Sequence, residues 1–242
     1  MAIKYKFSSA AMVVIGNELL SGRTREGNGH LAAQRLFEQG CVLREVAIIP
    51  DNHAVIVATV RRLRQVADAV ITSGGIGPTH DDITMEAIAA ALDVALLEHG
   101  DTVQLMRDHY GADLLNDGRR RMARLPAGAT PILCSKSIAP GAALDGVFVL
   151  AGVPAIFASQ LEAILPQFGG DPIIRCEVPF HCFESSFYRQ LGAIQQKFPQ
   201  LEIGSYPKLC AGDPHGAIAI SGRDAQLLER AKMAVNMMLR EL

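Results

Sequence analysis

No stretch of the chain approaches the ~18 consecutive apolar residues that a membrane-spanning helix needs. Nor does it open on a charged segment followed by a long apolar core, as a secretory leader does. The expectation is a soluble, cytoplasmic protein with no membrane partner. Cysteine is sparse: Cys41, Cys134, Cys176, Cys182 and Cys210 are odd in number and widely spaced, with no C-x-x-C pair. Neither a disulfide framework nor a zinc site is signalled, and reduced thiols fit best. Long basic runs are also missing, and the net charge is −2, so no nucleic-acid partner is expected. The densest basic cluster, Arg119-Arg120-Arg121 with Arg124, reads as a solvated helix face. Internal repeats and low-complexity tracts are absent from the reading too.

What the chain does have is an ordinary globular balance, 49% hydrophobic and 20% charged over 242 residues. That length suits one medium domain with a small appendage. Strands and helices alternate through the first two thirds. Apolar runs at 11–15, 42–49 and 69–72 read as strands, and segments at 31–39, 54–65 and 85–92 as helices. Two helical pieces within 100–124, strands near 132–133 and 147–150, and a helix at 155–165 follow. Glycine-proline elements, Ala139-Pro140-Gly141 and Ala151-Gly152-Val153-Pro154, are read as turns beside those last strands. This alternation predicts an α/β fold with a mostly parallel sheet and helices on both faces. After the linker Gln167-Phe168-Gly169-Gly170-Asp171-Pro172, a βαββα pattern predicts a small α+β subdomain. The expected division is 8–168 and 171–242.

The segment Ser73-Gly74-Gly75-Ile76-Gly77-Pro78-Thr79-His80-Asp81-Asp82-Ile83-Thr84 carries the chemistry. It follows an apolar strand and precedes a helix, and ligands of open α/β sheets gather at that strand end. Glycines let backbone N–H groups approach a phosphate, and a helix N-terminus supplies further donors. Asp81 and Asp82 would repel that phosphate unless a divalent cation bridges them to it. Asp81, Asp82 or Thr84 can equally cap the helix. The turn at Gly152–Pro154 falls at the same sheet end if its strand is parallel.

With these motifs and the turn Gly16-Asn17-Glu18-Leu19-Leu20-Ser21-Gly22-Arg23-Thr24, the chain resembles the MoaB/Mog-like molybdopterin-binding domains. Within them it is similar to the amino-terminal module of the CinA (competence/damage-inducible) family, over nearly its whole length. Leu191-Gly192-Ala193-Ile194 and Ile203-Gly204-Ser205-Tyr206-Pro207 are similar to the small segment that follows that module. The resemblance implies a three-layer α/β/α domain, a homo-oligomer, and a small phosphorylated ligand. That ligand is molybdopterin, or a nucleotide pyrophosphate of the ADP-ribose or FAD type that is hydrolysed. By the same resemblance Asp82 and Asp51 match acidic positions of a metal site, Glu18 the acid of the first turn, and Asn28 the asparagine opening the first helix. Asn17 departs from the family pattern, where aspartate or threonine is usual. The deamidase domain of full-length relatives is not represented, and no deamidase activity is expected.

For a pyrophosphatase, the expected phosphate ligands are Ser73, Gly74, Gly75, Gly77, Thr79, Asn28, Gly152 and Pro154. Asp82 and Asp51 would hold Mg²⁺ or another divalent cation, and Asp82 with Asp81 or Glu18 would carry catalysis. Glu18 can instead serve a helix start, and Asp51 a helix cap. Carriage or adenylation of molybdopterin, or a regulatory module without turnover, are the alternatives.

Overall fold

The computed structural model describes residues 7–210 and 213–242. It divides into two compact units, one ending at Gly170 and the other beginning at Asp171. In the first, the chain runs β1 (Ser9–Ile15), the one-turn α1 (Asn17–Leu20), α2 (Asn28–Glu38), β2 (Val42–Ile49), α3 (His53–Leu63), β3 (Ala69–Ser73) and α4 (Thr84–Ala91). It continues as β4 (Leu96–Glu98), α5 (Gly100–Tyr110), α6 (Asp117–Arg121), β5 (Arg124–Pro126), β6 (Thr130–Cys134), β7 (Ser137–Leu144), β8 (Val147–Leu150) and α7 (Pro154–Ile164). A six-stranded sheet has the order β2-β1-β3-β8-β7-β6. β2, β1, β3 and β8 are parallel, β7 runs against β8, and β6 against β7.

The period of two along each strand makes the layers. On β1, Ala10, Met12 and Val14 join one core with Ala32 and Leu36 of α2 and Phe157, Leu161 and Ile164 of α7. Ala11, Val13 and Ile15 join the opposite core with Ile56, Val60 and Leu63 of α3 and Ala87, Ile88 and Ala91 of α4. Such strands read as continuous apolar runs because both faces are covered. The result is the expected three-layer α/β/α sandwich. Among the described residues no helix is long and apolar enough to cross a membrane.

One expectation is corrected. Ala139-Pro140-Gly141 is not a turn: it lies inside β7. Pro140 escapes the usual exclusion from sheets because it falls in an irregular stretch of the β6–β7 pairing, while β8 pairs only from Ala142 onward. β4 and β5 form a short antiparallel pair outside the main sheet.

The second unit contains β9 (Ile174–Phe180), α8 (Tyr188–Lys197), β10 (Glu202–Cys210), β11 (Asp213–Gly222) and α9 (Ala225–Arg240). Its antiparallel sheet has the order β10-β11-β9. Val178 and Phe180 of β9, Ile218 and Ile220 of β11 and Leu228, Ala231 and Val235 of α9 share its core with Phe187. Asp224 caps α9 by accepting from Gln226 N and Leu227 N. Cys41, Cys134, Cys176 and Cys182 form no disulfide among the described residues; the side chain of Cys210 lies outside them.

Asp68 fastens the start of β1 to β3. Its carboxylate accepts from Ser8 Oγ at 2.9 Å, Ser8 N at 3.1 Å and Ser9 N at 2.9 Å. The Ser8 hydroxyl foremost, then Ser9, holds the carboxyl below its ordinary range. A depressed carboxyl stabilises the fold above its unfolded pKa and loses that contribution as pH falls through the folded value. Asp68→Ala is expected to reduce stability by about 1 kcal/mol near neutrality, the exposed setting screening the rest. Urea midpoints measured in pH steps should show the difference from the unaltered chain narrowing below about pH 4.

Candidate ligand cleft

Loops leaving the carboxyl ends of β1, β2, β3 and β8 surround a cleft of about 540 Å³. Its base is backbone packed on backbone. Gly74 has φ 107, and a Cβ there would lie 2.2 Å from the Ile15 carbonyl oxygen, so only glycine fits. Gly74 N donates to Leu150 O at 3.1 Å, which ties the glycine loop to the end of β8. Its donor is thus used within the protein. Gly75, Ile76 and Gly77 follow, and their N–H groups donate to no acceptor among the described residues. All three line the cleft.

A buried polar joint fixes these loops to one another. Asn28 Nδ2 donates to Ser73 Oγ at 2.9 Å and to Gly152 O at 2.8 Å. The Ser73 hydroxyl passes its own proton to Ala151 O at 3.2 Å. From behind, Gln160 Oε1 accepts from Ala151 N at 2.8 Å. The Asn28 amide and the Ser73 hydroxyl therefore join the start of α2, the end of β3 and the β8 loop. Gln160 had not been singled out from the sequence. The signal was available: it stands three residues after Phe157 on α7, on the helical stripe that faces the core.

Two carboxylates flank the glycine loop. Asp51 Oδ2 accepts from Asn17 N at 2.8 Å, and its Oδ1 lies 3.7 Å from where a Gly75 Cβ would stand. Asp82 Oδ2 accepts from Thr79 N at 2.8 Å and Thr79 Oγ1 at 2.5 Å. It lies 2.7 Å from where a Gly77 Cβ would stand. Thr79 does not line the cleft; it orients Asp82. Glu18 folds back over Gly16, its Oε1 2.5 Å from the position a Cβ would take there. Asp81 is exposed and lines the cleft beside Asp82, and the Thr79 hydroxyl does not serve both. One hydroxyl carries one proton, and the 2.5 Å contact assigns it to Asp82. Gly152 packs against Gly74, a Cβ there lying 3.1 Å from Gly74 Cα, and lines the cleft with Val153, Pro154 and Ile156.

Among the described residues, no three His, Cys, Asp or Glu side chains gather closely enough to hold a metal ion. The donor set is nevertheless hard oxygen, with Asp51 Oδ1 and Asp82 Oδ1 unbonded on either side of the loop among the described residues. That fits a cation completed by ligand phosphate and water, as Mg²⁺ commonly is, rather than an all-protein cage.

The arginine cluster is a further correction. Arg121 Nη2 donates to Asp82 O at 2.9 Å, Arg120 makes a two-pronged pair with Glu98 at 2.7 and 3.1 Å, and Arg119 lies 4.1 Å over the Tyr110 ring. These side chains brace α6 and the glycine loop instead of simply facing solvent. Because Arg121 lies 39 residues from Asp82 in the chain, spacing alone held no sign of the contact.

A mostly parallel α/β sandwich with its cleft at the carboxyl edge, bounded by a glycine loop, places the first unit among the α/β domains that bind ligands at a strand end. The chain belongs to the molybdopterin-binding domain family: residues 11–169 match the family described as "Probable molybdopterin binding domain". Residues 172–242 match that described as "FAD synthase, middle domain". A protein from Archaeoglobus fulgidus is 29% identical over 220 residues, covering 91% of this chain and 93% of its own. One from Pyrococcus abyssi is 32% identical over 238 residues, covering 91% and 93%. Among solved structures, the protein CinA of unknown function from Thermoplasma acidophilum is similar with a TM-score of 0.62 and 32% identity, covering 65% of this chain and 95% of that one.

The joint predicts energetic coupling. Asn28→Ala leaves the buried Ser73 hydroxyl and the part-buried Gly152 carbonyl without their donor and is expected to lower stability by about 1–2 kcal/mol; Ser73→Ala should lower it by about 1 kcal/mol. A double-mutant cycle from urea midpoints should return a coupling of about 1 kcal/mol.

Proposed function

We propose that the cleft binds a nucleotide carrying a pyrophosphate, of the ADP-ribose or FAD type, and hydrolyses it with a divalent cation. The observation that carries this reading is the glycine loop itself: the N–H groups of Gly75, Ile76 and Gly77 donate to no acceptor among the described residues, and the carboxylates of Asp51 and Asp82 stand beside Gly75 and Gly77. Anion donors between two hard-oxygen ligands suit a phosphate that arrives with a metal ion. The match of residues 172–242 to a domain of FAD synthase lends support to a dinucleotide ligand.

Asp51 and Asp82 would hold the cation, which when bound neutralises phosphate charge and acidifies a coordinated water. Gly75 and Gly77 position phosphate oxygens through their N–H groups. Thr79 keeps Asp82 turned toward the loop, and Arg121 holds the Asp82 backbone. Asp81 or Glu18 orients the attacking water and takes its proton. The water oxygen bonds to phosphorus while the bridging P–O bond breaks, and two phosphate monoesters leave. Positioning and charge neutralisation carry such chemistry without a covalent intermediate.

A second reading is supported by the family match over 11–169: the cleft binds molybdopterin and carries or adenylates it. The two separate in one assay. Purified protein with ADP-ribose or FAD and Mg²⁺, Mn²⁺ or Co²⁺ is expected to release AMP. No AMP with any of these metals would sink the hydrolase, and co-purified pterin fluorescence would favour the second reading. Asp82→Asn retains an acceptor for Thr79 and should fold normally, with turnover reduced about 100-fold or more. Chromatographic AMP release, with circular dichroism as the folding control, checks it; unchanged turnover would remove Asp82 from the metal site.

A further inference from the structure

The charge on the walls of the cleft is one-sided. Glu18, Glu26, Asp51, Asp81 and Asp82 all line it, against a single cationic side chain among the described residues, Arg25. A first phosphate at the glycine loop is provided for by backbone donors and by the carboxylate-held cation. A second phosphate would meet only the remaining acids, and like charges facing one another across a cleft oppose binding. Arg25 is the side chain available to reverse that balance.

Its setting suits the task. The connection from α1 to α2 is pinned on both sides of it: Thr24 N donates to Glu18 O at 3.1 Å, and Glu26 Oε1 accepts from Gly29 N at 2.6 Å. Between these two anchors Arg25 is exposed and makes no hydrogen bond or ion pair among the described residues. A held backbone spares the cost of ordering the loop, and an uncommitted guanidinium gives up no existing partner. The planar fork of arginine also grips phosphate oxygens in pairs, which a point charge does not.

We propose that Arg25 is the residue that makes the cleft select diphosphate-bearing ligands over monophosphates, by holding the phosphate that the glycine loop does not. This rests on the reading of the cleft as a phosphate site. The test is calorimetric titration of ADP and of AMP, with Mg²⁺ present, into the unaltered chain, Arg25→Gln and Arg25→Lys. Arg25→Gln should weaken ADP about tenfold or more while AMP stays within about twofold, and Arg25→Lys should recover part of the ADP affinity. AMP binding by the variant doubles as evidence that the cleft is intact. Equal losses for both nucleotides, or no loss for either, would overturn the role of Arg25 while leaving the phosphate site standing. If the unaltered chain binds neither nucleotide, the phosphate site fails and Arg25 with it.

Discussion

The side-chain amide of Asn28 reaches across the buried base of the cleft to Ser73 Oγ and the Gly152 carbonyl, and the order of the surrounding loops follows from those two bonds. Buried carbonyls and hydroxyls must find partners, because each one left unpaired is destabilising by about 1–3 kcal/mol. The ends of β3 and β8 are neighbours in the sheet, and Gly74 N and the Ser73 hydroxyl already donate across to Leu150 O and Ala151 O. Asn28 at the start of α2 extends that tie to Gly152 O, and Gln160 on α7 braces the same β8 loop through Ala151 N. Helices from one layer therefore set the shape of a site at the edge of the sheet.

On that base the chemistry is arranged by contrast. Backbone donors at Gly75 to Gly77 face a cleft whose side chains are predominantly acidic. In the proposed function, an anionic ligand entering alone would meet repulsion from Asp51 and Asp82, and entering with a cation it would meet ligands. The same carboxylates would then reject or accept a phosphate according to what accompanies it. Thr79, Asn17 and Arg121 do not supply that charge; they hold the two aspartates and their loop at fixed positions through short hydrogen bonds. Fixed donors and acceptors are what phosphoryl chemistry needs, since reorganisation at the moment of reaction is then small.

Several features were legible along the chain for identifiable reasons. The apolar runs of β1 and β3 read as buried strands because both faces are covered, and the glycine segment read as a loop at the carboxyl end of the sheet because it follows such a strand. β7 was not legible: Ala139-Pro140-Gly141 has turn composition, and only the absence of a pairing demand at Pro140 lets it continue as strand. Arg121 read as a surface charge because its partner, the Asp82 carbonyl, is distant in sequence and is a backbone atom. That the Thr79 hydroxyl donates to Asp82 was not legible either, since a loop's order along the chain does not reveal which way each side chain turns.

The amino-acid sequence by itself determined the layers, the succession of elements and the identity of the loop with its two acids, because burial period, glycine tolerance and turn chemistry are local properties. Tertiary structure decided which loops became one cleft. Asp51 and Asp82 stand on either side of the glycine loop, Asn28 meets Gly152 across 124 positions, and Arg25 comes to line an acidic wall. Those relations depend on strand order in the sheet, β2-β1-β3-β8, which brings four carboxyl ends together irrespective of their separation along the chain. Contacts between such ends are through space, and no local pattern encodes them.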